Sequence, residues 1–453
     1  MQSESRLFER FFFTEPLRIE KLVAGGDGLA RPGGKVVFVP MVLPGELVEA
    51  SVAAEGKGYR SARVERILEP SPHRREAPCP LYGVCGGCNL QHAEYAHQLE
   101  VKRRILCETL ARVGGQGLRP ERLQELVEAA GGSELGYRSR VRLHPAAGGG
   151  LGFRKRASHE VVEVAHCPIA VDGVNELLAD PAGCAGLQAP LQRPVRVFAV
   201  PKSRCHGAGL QRDDPKFDPK FEGLANESPA RCIAAVEERG DARQPDRRRG
   251  DPGQPDAPAP TDTGGLGEQK VVVQVPIAGK AFAVSPHAFF QNNIEMLECV
   301  IQEEIIGLSG ERAVDLYAGV AVFAAFLADG FRRVAAIESD PAAAATAKRN
   351  LAGTGARFVR STVEHWVTRN RFKGDDLVLL DPPRNGLGKT VTRALLRDLP
   401  RRVVYVSCDP ATLARDLKAL CGAGYALDRV KLYDFYPQTA EIETVVRLSW
   451  SAG

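Results

Sequence analysis

Three cysteines lie close together in Cys79-Pro80-Leu81-Tyr82-Gly83-Val84-Cys85-Gly86-Gly87-Cys88. Three soft thiolates in so short a stretch suit a tightly held metal or cluster. Gly86 and Gly87 let the chain turn sharply enough for Cys85 and Cys88 to face one centre. A gap of two residues between cysteines also fits zinc, so spacing alone leaves a cluster, a zinc knuckle and free thiols open. A further cysteine stands far downstream, in Ser407-Cys408-Asp409-Pro410. Asp409 can cap a helix whose first turn starts at Pro410. A thiol beside a helix N-terminus is drawn toward thiolate, while the Asp409 charge opposes that. Asp381-Pro382-Pro383-Arg384 is the third group: two prolines fix the exit of the chain and hold Asp381 rigidly at a strand end.

These groups need a scaffold, and the second half of the chain supplies its pattern. Short apolar runs at Ala313–Leu316, Val334–Ile337, Phe358–Val359, Leu377–Leu380 and Val403–Ser407 alternate with helical stretches. Such alternation predicts a parallel sheet wound on both faces. Leu432–Phe435 and Thr444–Leu448 are joined by a short connection and read as a closing antiparallel hairpin. Ligands in such sheets bind at the carboxyl ends of the strands. The first such end reads Val314-Asp315-Leu316-Tyr317-Ala318-Gly319, and the next ends in Glu338, placed to accept ribose hydroxyls. A nicotinamide cofactor is the competitor, but Gly-x-Gly-x-x-Gly is absent and no pyrophosphate cradle remains. S-adenosylmethionine has no pyrophosphate and tolerates this loop.

Four regions follow from the pattern. Residues 14–70 are β-rich and broken by glycine turns, which predicts a small OB-type barrel. Residues 75–205 carry the cysteine segment, a helix from Tyr95 to Arg112 and a second β-rich part. Residues 206–269 contain a direct Asp-Pro-Lys-Phe repeat, Arg247-Arg248-Arg249 and a Pro/Asp/Gly-rich tract, and read as a disordered insertion. Residues 270–453 form the α/β unit. The 453 residues carry a net charge of +4, which neither requires nor excludes nucleic acid. No run of eighteen apolar residues exists, so no membrane span is expected. The start of the chain does not read as a secretory signal. Eleven cysteines, an odd number, several in core-like stretches, fit a reducing cytoplasm rather than a disulfide framework.

In combination, the cysteine segment running into Asn89-Leu90-Gln91-His92, Phe290-Gln291-Asn292-Asn293, Asp381-Pro382-Pro383-Arg384, Ser407-Cys408-Asp409-Pro410 and Pro437-Gln438-Thr439-Ala440-Glu441-Ile442-Glu443 resemble, in order, the bacterial RNA (uracil-5-)-methyltransferases. The resemblance spans nearly the whole chain. It implies a class I methyltransferase fold for the C-terminal unit, a TRAM-type RNA-binding barrel at 14–70, and a [4Fe–4S] cluster on Cys79, Cys85, Cys88 and Cys167. It further implies Cys408 as nucleophile, Glu443 as base, and Gln291, Tyr317, Glu338 and Asp381 around S-adenosylmethionine and uracil. The expected reaction is methylation of carbon 5 of a uridine in RNA, with 23S ribosomal RNA favoured over tRNA, by a cytoplasmic monomer. A non-catalytic RNA-binding protein is the rival reading. Its motive is the first-strand loop, where Ala318, Ala321 and Val322 replace the usual Cys, Gly and polar residue. The usual His two residues before the terminal Glu is Glu441 here.

Overall fold

Strand-forming runs punctuated by glycine turns build the first sheet. The computed structural model describes residues 13, 15–115, 118–181, 193–201, 233–237, 272–373 and 376–451. Strands β1 (Leu17–Arg18), β2 (Lys21–Leu22), β3 (Gly28–Ala30), β4 (Val36–Val39), β5 (Leu47–Gly56) and β6 (Tyr59–Glu69) form one sheet in the order β1-β5-β6-β4-β3-β2. Its edge strands β1 and β2 are pieces of one segment. Between them the Ile19 amide donates to the Glu46 carbonyl and the Glu20 amide to the Leu29 carbonyl. One stretch of chain therefore borders both edges of the sheet, and Leu17, Ile19, Val37, Val39 and Val48 fill its interior.

Helix α1 (Tyr95–Gly114) follows the cysteine segment, then α2 (Pro120–Leu126) and strand β7 (Val127–Ala130). The buried face of α1 is Val101, Ile105, Leu106 and Leu110, with Leu99 and Arg103 only half-buried at its margin. A second sheet holds β8 (Arg140–Pro145), β9 (Leu151–Arg154), β10 (Val161–Glu163), β11 (Val195–Ala199) and β12 (Ile233–Glu237), in the order β10-β9-β8-β11-β12. Helix α3 (Asp172–Ala179) packs on it through Val174, Leu177 and Leu178.

Strand β12 corrects one expectation. It falls inside residues 206–269, read as a disordered insertion, yet it pairs antiparallel with β11 along its full length. The run Ile233-Ala234-Ala235-Val236 is apolar enough to extend a sheet; the polar composition on either side hid it. The rest of that insertion lies outside the described residues.

A hairpin of β13 (Val273–Ile277) and β14 (Lys280–Val284) leads into α4 (Ile294–Val300), capped by the Asn293 side chain. The large sheet then forms from β15 (Gly310–Leu316), α5 (Val322–Leu327), β16 (Phe331–Glu338), α6 (Pro341–Asn350), β17 (Arg357–Arg360), α7 (Val363–Arg369), β18 (Leu377–Leu380), α8 (Gly388–Asp398), β19 (Arg402–Ser407), α9 (Pro410–Gly422), β20 (Ala426–Tyr433) and β21 (Glu443–Ser449). Its order is β17-β16-β15-β18-β19-β21-β20-β7. Strands β15 to β19 are mutually parallel, and β21 is antiparallel to both β19 and β20, as the terminal hairpin predicts. Both faces are covered: Leu377 and Leu379 of β18 pack into one core, Val378 and Leu380 into the other.

The α/β unit does not begin at residue 270, as the sequence pattern implies. Strand β7 pairs in parallel with β20, Val127 opposite Val430, and so forms the edge of the large sheet. The buried face of α1 lies in the same core as Leu413, Leu417 and Leu420 of α9. The short β7 run carries no local mark of a partner at the far end of the chain. Among the described residues no helix is long and apolar enough to cross a membrane.

Candidate active site

The carboxyl ends of β15, β16, β18 and β19 converge, as a doubly wound sheet requires. At the end of β15, Tyr317, Gly319 and Ala321 all hold left-handed backbone, with φ of 63°, 54° and 65°. This tight loop brings the Gly319 amide to the Glu338 carboxylate at 2.9 Å, and the other Glu338 oxygen accepts from the Asp340 amide at 2.7 Å. Asp315 is wholly buried beneath the loop and accepts from the Ala324 amide at 3.0 Å. Burial, and then the charge of Asp381, push its carboxyl well above the ordinary range.

Asp381 sits where the two prolines fix it, one residue past β18. The buried Gln291 side chain lies close enough to its carboxylate to favour the charged form. Burial still raises Asp381, to about 7, with Glu338 adding to the rise and Gln291 opposing it. Arg384 reaches over the site to Glu441 at 2.5 Å. The Glu441 that replaces the usual histidine therefore anchors the arginine that follows the prolines.

Cys408 follows β19 directly. Asp409 caps α9 by accepting from the Thr412 amide at 2.7 Å, with Pro410 in the first turn, as the sequence predicts. In the β19–β21 pair Ser407 lies opposite Thr444. Cys408 directly follows β19 and Glu443 begins β21, each next to this last paired couple, so thiol and carboxylate lie close enough for the charge of one to bear on the other. Burial, then Glu443 and Asp381, push the Cys408 thiol up to about 12, against the pull of Arg384. The opposing charges are thus the two carboxylates across the site rather than the neighbouring Asp409. Burial and Asp381 likewise hold Glu443 well above the usual carboxylate range, with Arg384 opposing.

A full-length relative decides the class. The 23S rRNA (uracil(1939)-C(5))-methyltransferase RlmD of Pseudomonas entomophila is 34% identical over 451 residues, covering 95% of this chain and 92% of its own. The chain belongs to the RNA (uracil-5-)-methyltransferase family. The profile of the tRNA (Uracil-5-)-methyltransferase family matches residues 266–451. An RNA methyltransferase of Aquifex aeolicus is 32% identical, covering 95% of this chain and 97% of its own. Among solved structures, the Pyrococcus abyssi tRNA (uracil-54, C5)-methyltransferase, in complex with S-adenosyl-L-homocysteine, superposes with a TM-score of 0.66. It is 24% identical and covers 96% of this chain and all of its own, which establishes the shared fold.

The cysteine segment lies apart from this crevice. The Cys85 amide donates to the Leu81 carbonyl at 2.9 Å and the Gly86 amide to Arg154 at 3.0 Å, folding the segment against β9. The Cys167 amide donates to the Asn175 side chain at 2.8 Å. The four thiols sense one another. Burial pushes Cys88 up to about 12, with Cys167 and Cys85 adding to the rise; Cys79 does the same to Cys85 and Cys167. Among the described residues no three His, Cys, Asp or Glu side chains stand in a ready metal-ligand arrangement. His92, adjacent in sequence, is no competing ligand. Its ring is buried between the Tyr82 hydroxyl, at 2.5 Å, and the Val42 carbonyl, at 3.3 Å, and burial lowers its pKa to about 4.

Sequence reasoning named Cys408, Glu443, Asp381, Gln291, Tyr317 and Glu338, and the structure gathers them at these strand ends. It missed two features. Asp315 carries a signal, an acid inside the apolar end Ala313-Val314-Asp315-Leu316 of its strand. Arg384 with Glu441 carries none, because the pair forms only once two distant loops meet.

Proposed function

We propose that this enzyme transfers a methyl group from S-adenosylmethionine to carbon 5 of a uridine in 23S ribosomal RNA, with Cys408 as covalent nucleophile and Glu443 as base. The nearness of Cys408 and Glu443, beside the last paired residues of β19 and β21, carries this reading. The near full-length likeness to RlmD, at 34% identity, favours ribosomal over transfer RNA.

Carbon 5 of uracil is too weak a nucleophile to take a methyl group unaided. Addition of the Cys408 sulfur to carbon 6 places the displaced electron pair in an enolate, which makes carbon 5 nucleophilic. Carbon 5 then takes the methyl group from the sulfonium of the donor. Glu443 removes the remaining carbon 5 proton, the carbon 6–sulfur bond breaks, and the Cys408 thiolate leaves. The proton that burial and the carboxylates keep on Cys408 must first be shed. Arg384 favours that, and a cationic donor beside Asp381 offsets the carboxylate charge. Gln291, Tyr317, Glu338 and Asp381 line the donor and uracil site; Glu338 at the end of β16 suits ribose hydroxyls. The target base must leave its stack to reach Cys408.

The donor set of Cys79, Cys85, Cys88 and Cys167, all sulfur, suits a [4Fe–4S] cluster. The cluster would supply a structural tie between the cysteine segment and Cys167. The first sheet, of TRAM type, together with Arg138, Arg140 and Arg154, forms the RNA-binding side of a cytoplasmic monomer.

The test uses two variants. Cys408→Ala should abolish methylation and form no RNA adduct. Glu443→Gln should methylate carbon 5 and then stall, leaving a denaturation-resistant protein–RNA complex that carries label from methyl-labelled donor. Activity in Cys408→Ala would overturn the covalent mechanism. Normal turnover in Glu443→Gln would move the base elsewhere, with Glu441 the first candidate.

A further inference from the structure

The connection from β20 to β21, residues 434–442, ends at Glu443. Arg384 holds it at Glu441 and β7 of the large sheet at the Asp434 amide, 2.9 Å from the Ala130 carbonyl; its other fixed points lie in the N-terminal half. Lys102 of α1 donates to Asp434 at 2.7 Å and to the Tyr436 carbonyl at 2.9 Å. The Tyr137 hydroxyl donates to the Pro437 carbonyl at 2.8 Å. Gln438, at the middle, is fully buried and holds a left-handed backbone, φ 68°. That conformation is strained for an L-residue and persists only where the surroundings over-determine it.

The surroundings of Gln438 do so. Its amide oxygen accepts from Gln98 at 3.0 Å and Arg75 at 3.2 Å, and its amide nitrogen donates to Glu134 at 3.1 Å. Its backbone amide donates to the Gln98 side chain at 2.9 Å. Its carbonyl accepts from the amides of Asn89 and Leu90, at 3.1 and 3.0 Å. The Asn89 side chain grips the same connection two residues on, accepting from the Ala440 amide at 2.9 Å. It also donates to the Gly25 carbonyl of the first sheet at 2.8 Å. The approach there is close: a Cβ on Gly26 would lie 2.8 Å from the Ala440 Cβ and 2.9 Å from the Asn89 amide.

We infer that Gln438 and Asn89 are positioning residues for the methyl transfer: they lock the 434–442 connection so that Glu443, where it ends, stands beside Cys408 for removal of the carbon 5 proton. This rests on the reading of Glu443 as base. Asn89 directly follows Cys88, so the path of the cysteine segment is passed to the base through one side chain. A strap held at Asp434, Tyr436, Pro437, Gln438 and Ala440, strained at its centre and ending on the base, restricts Glu443 to one placement. Ordinary interface bonds would leave the release step no more sensitive than any other.

The experiment compares Gln438→Ala, Asn89→Ala and Glu443→Gln in the full chain, with an in vitro transcript of 23S ribosomal RNA and methyl-labelled S-adenosylmethionine. Misplacement of a reacting group by about 1 Å can cost ~100-fold. Release should therefore slow by about 10- to 100-fold in Gln438→Ala and Asn89→Ala, so that methyl-labelled covalent adduct accumulates as in Glu443→Gln. The Kd for S-adenosylmethionine should stay at the unsubstituted value. Asn89→Ala leaves the buried Gln438 in place and keeps the test open if Gln438→Ala fails to fold. Adduct in Glu443→Gln but in neither strap variant overturns the inference and leaves the mechanism standing. Slower turnover without adduct, together with weaker donor binding, overturns it as general loosening. No adduct in Glu443→Gln overturns the base assignment and this inference with it.

Discussion

Cys408 and Glu443 flank the last paired couple of β19 and β21, Ser407 with Thr444: the thiol follows one strand and the carboxylate begins the other. The backbone register of two strands thereby sets the separation of nucleophile and base. A slip of β21 by one residue would turn Glu443 to the other face of the sheet.

This juxtaposition has a titration signature. Glu443 and Asp381 disfavour the Cys408 thiolate and Arg384 favours it. In donor-free, RNA-free protein, alkylation of the Cys408 peptide, followed by mass spectrometry, should rise with pH well above the ordinary thiol range near 8.5. Glu443→Gln removes a negative neighbour and should move that rise to lower pH. Arg384→Ala removes the opposing cation and should move it higher. An inflection at the ordinary value, unmoved by either change, would show that Cys408 is not enclosed by these charges.

Lys102 and Asp434 form an ion pair with both side chains fully buried. Removing one partner of a buried pair leaves an uncompensated charge and costs about 3–5 kcal/mol. Lys102→Met should lower the urea midpoint accordingly. The double change Lys102→Met with Asp434→Leu should recover most of the loss. A single change costing less than about 1 kcal/mol would mean that water reaches the pair.

Ala321 occupies left-handed backbone at the start of α5 and is fully buried. Glycine adopts that conformation without the Cβ penalty but loses more entropy on folding. Ala321→Gly should therefore stabilise the fold by about 0.5–1 kcal/mol, read as a higher melting temperature. A lower melting temperature would mean that the lost Ala321 methyl packing outweighs the relief.

Anaerobically purified protein should be brown and contain iron and sulfide, and Cys167→Ser should remove the colour. All-sulfur ligation without a histidine pair is the reason. Colourless protein holding a single zinc would overturn the cluster.

The inner strands of the large sheet were legible because their apolar runs are covered on both faces, Leu377–Leu380 completely so. Leu377–Leu380 reads as a strand before any partner is known and is strand β18. Cys408 and Asp381 were legible through their neighbours: a capping acid, a first-turn proline and a proline pair. Lys102 was not. A lysine on a helix reads as a solvated charge, and only Asp434, from the far end of the chain, makes its burial tolerable. The same holds for β7 and β12, whose short runs acquire meaning from distant partners. Gln438 gave no sign, since nothing local marks a glutamine for left-handed backbone.

The edge position of β7 bears on how the molecule is made. The ribosome delivers β7 and α1 long before β20, and Asp434 emerges 332 residues after Lys102. Until then one strand lacks its neighbour and Lys102 lacks its counter-ion, so the N-terminal half must wait in an incomplete state. Chain termination shortly before residue 426 would thus strand both halves rather than shorten one. Proteins that fold unit by unit as they emerge avoid that exposure; this one accepts it, and nascent chains halted there should be targets for chaperones and proteases.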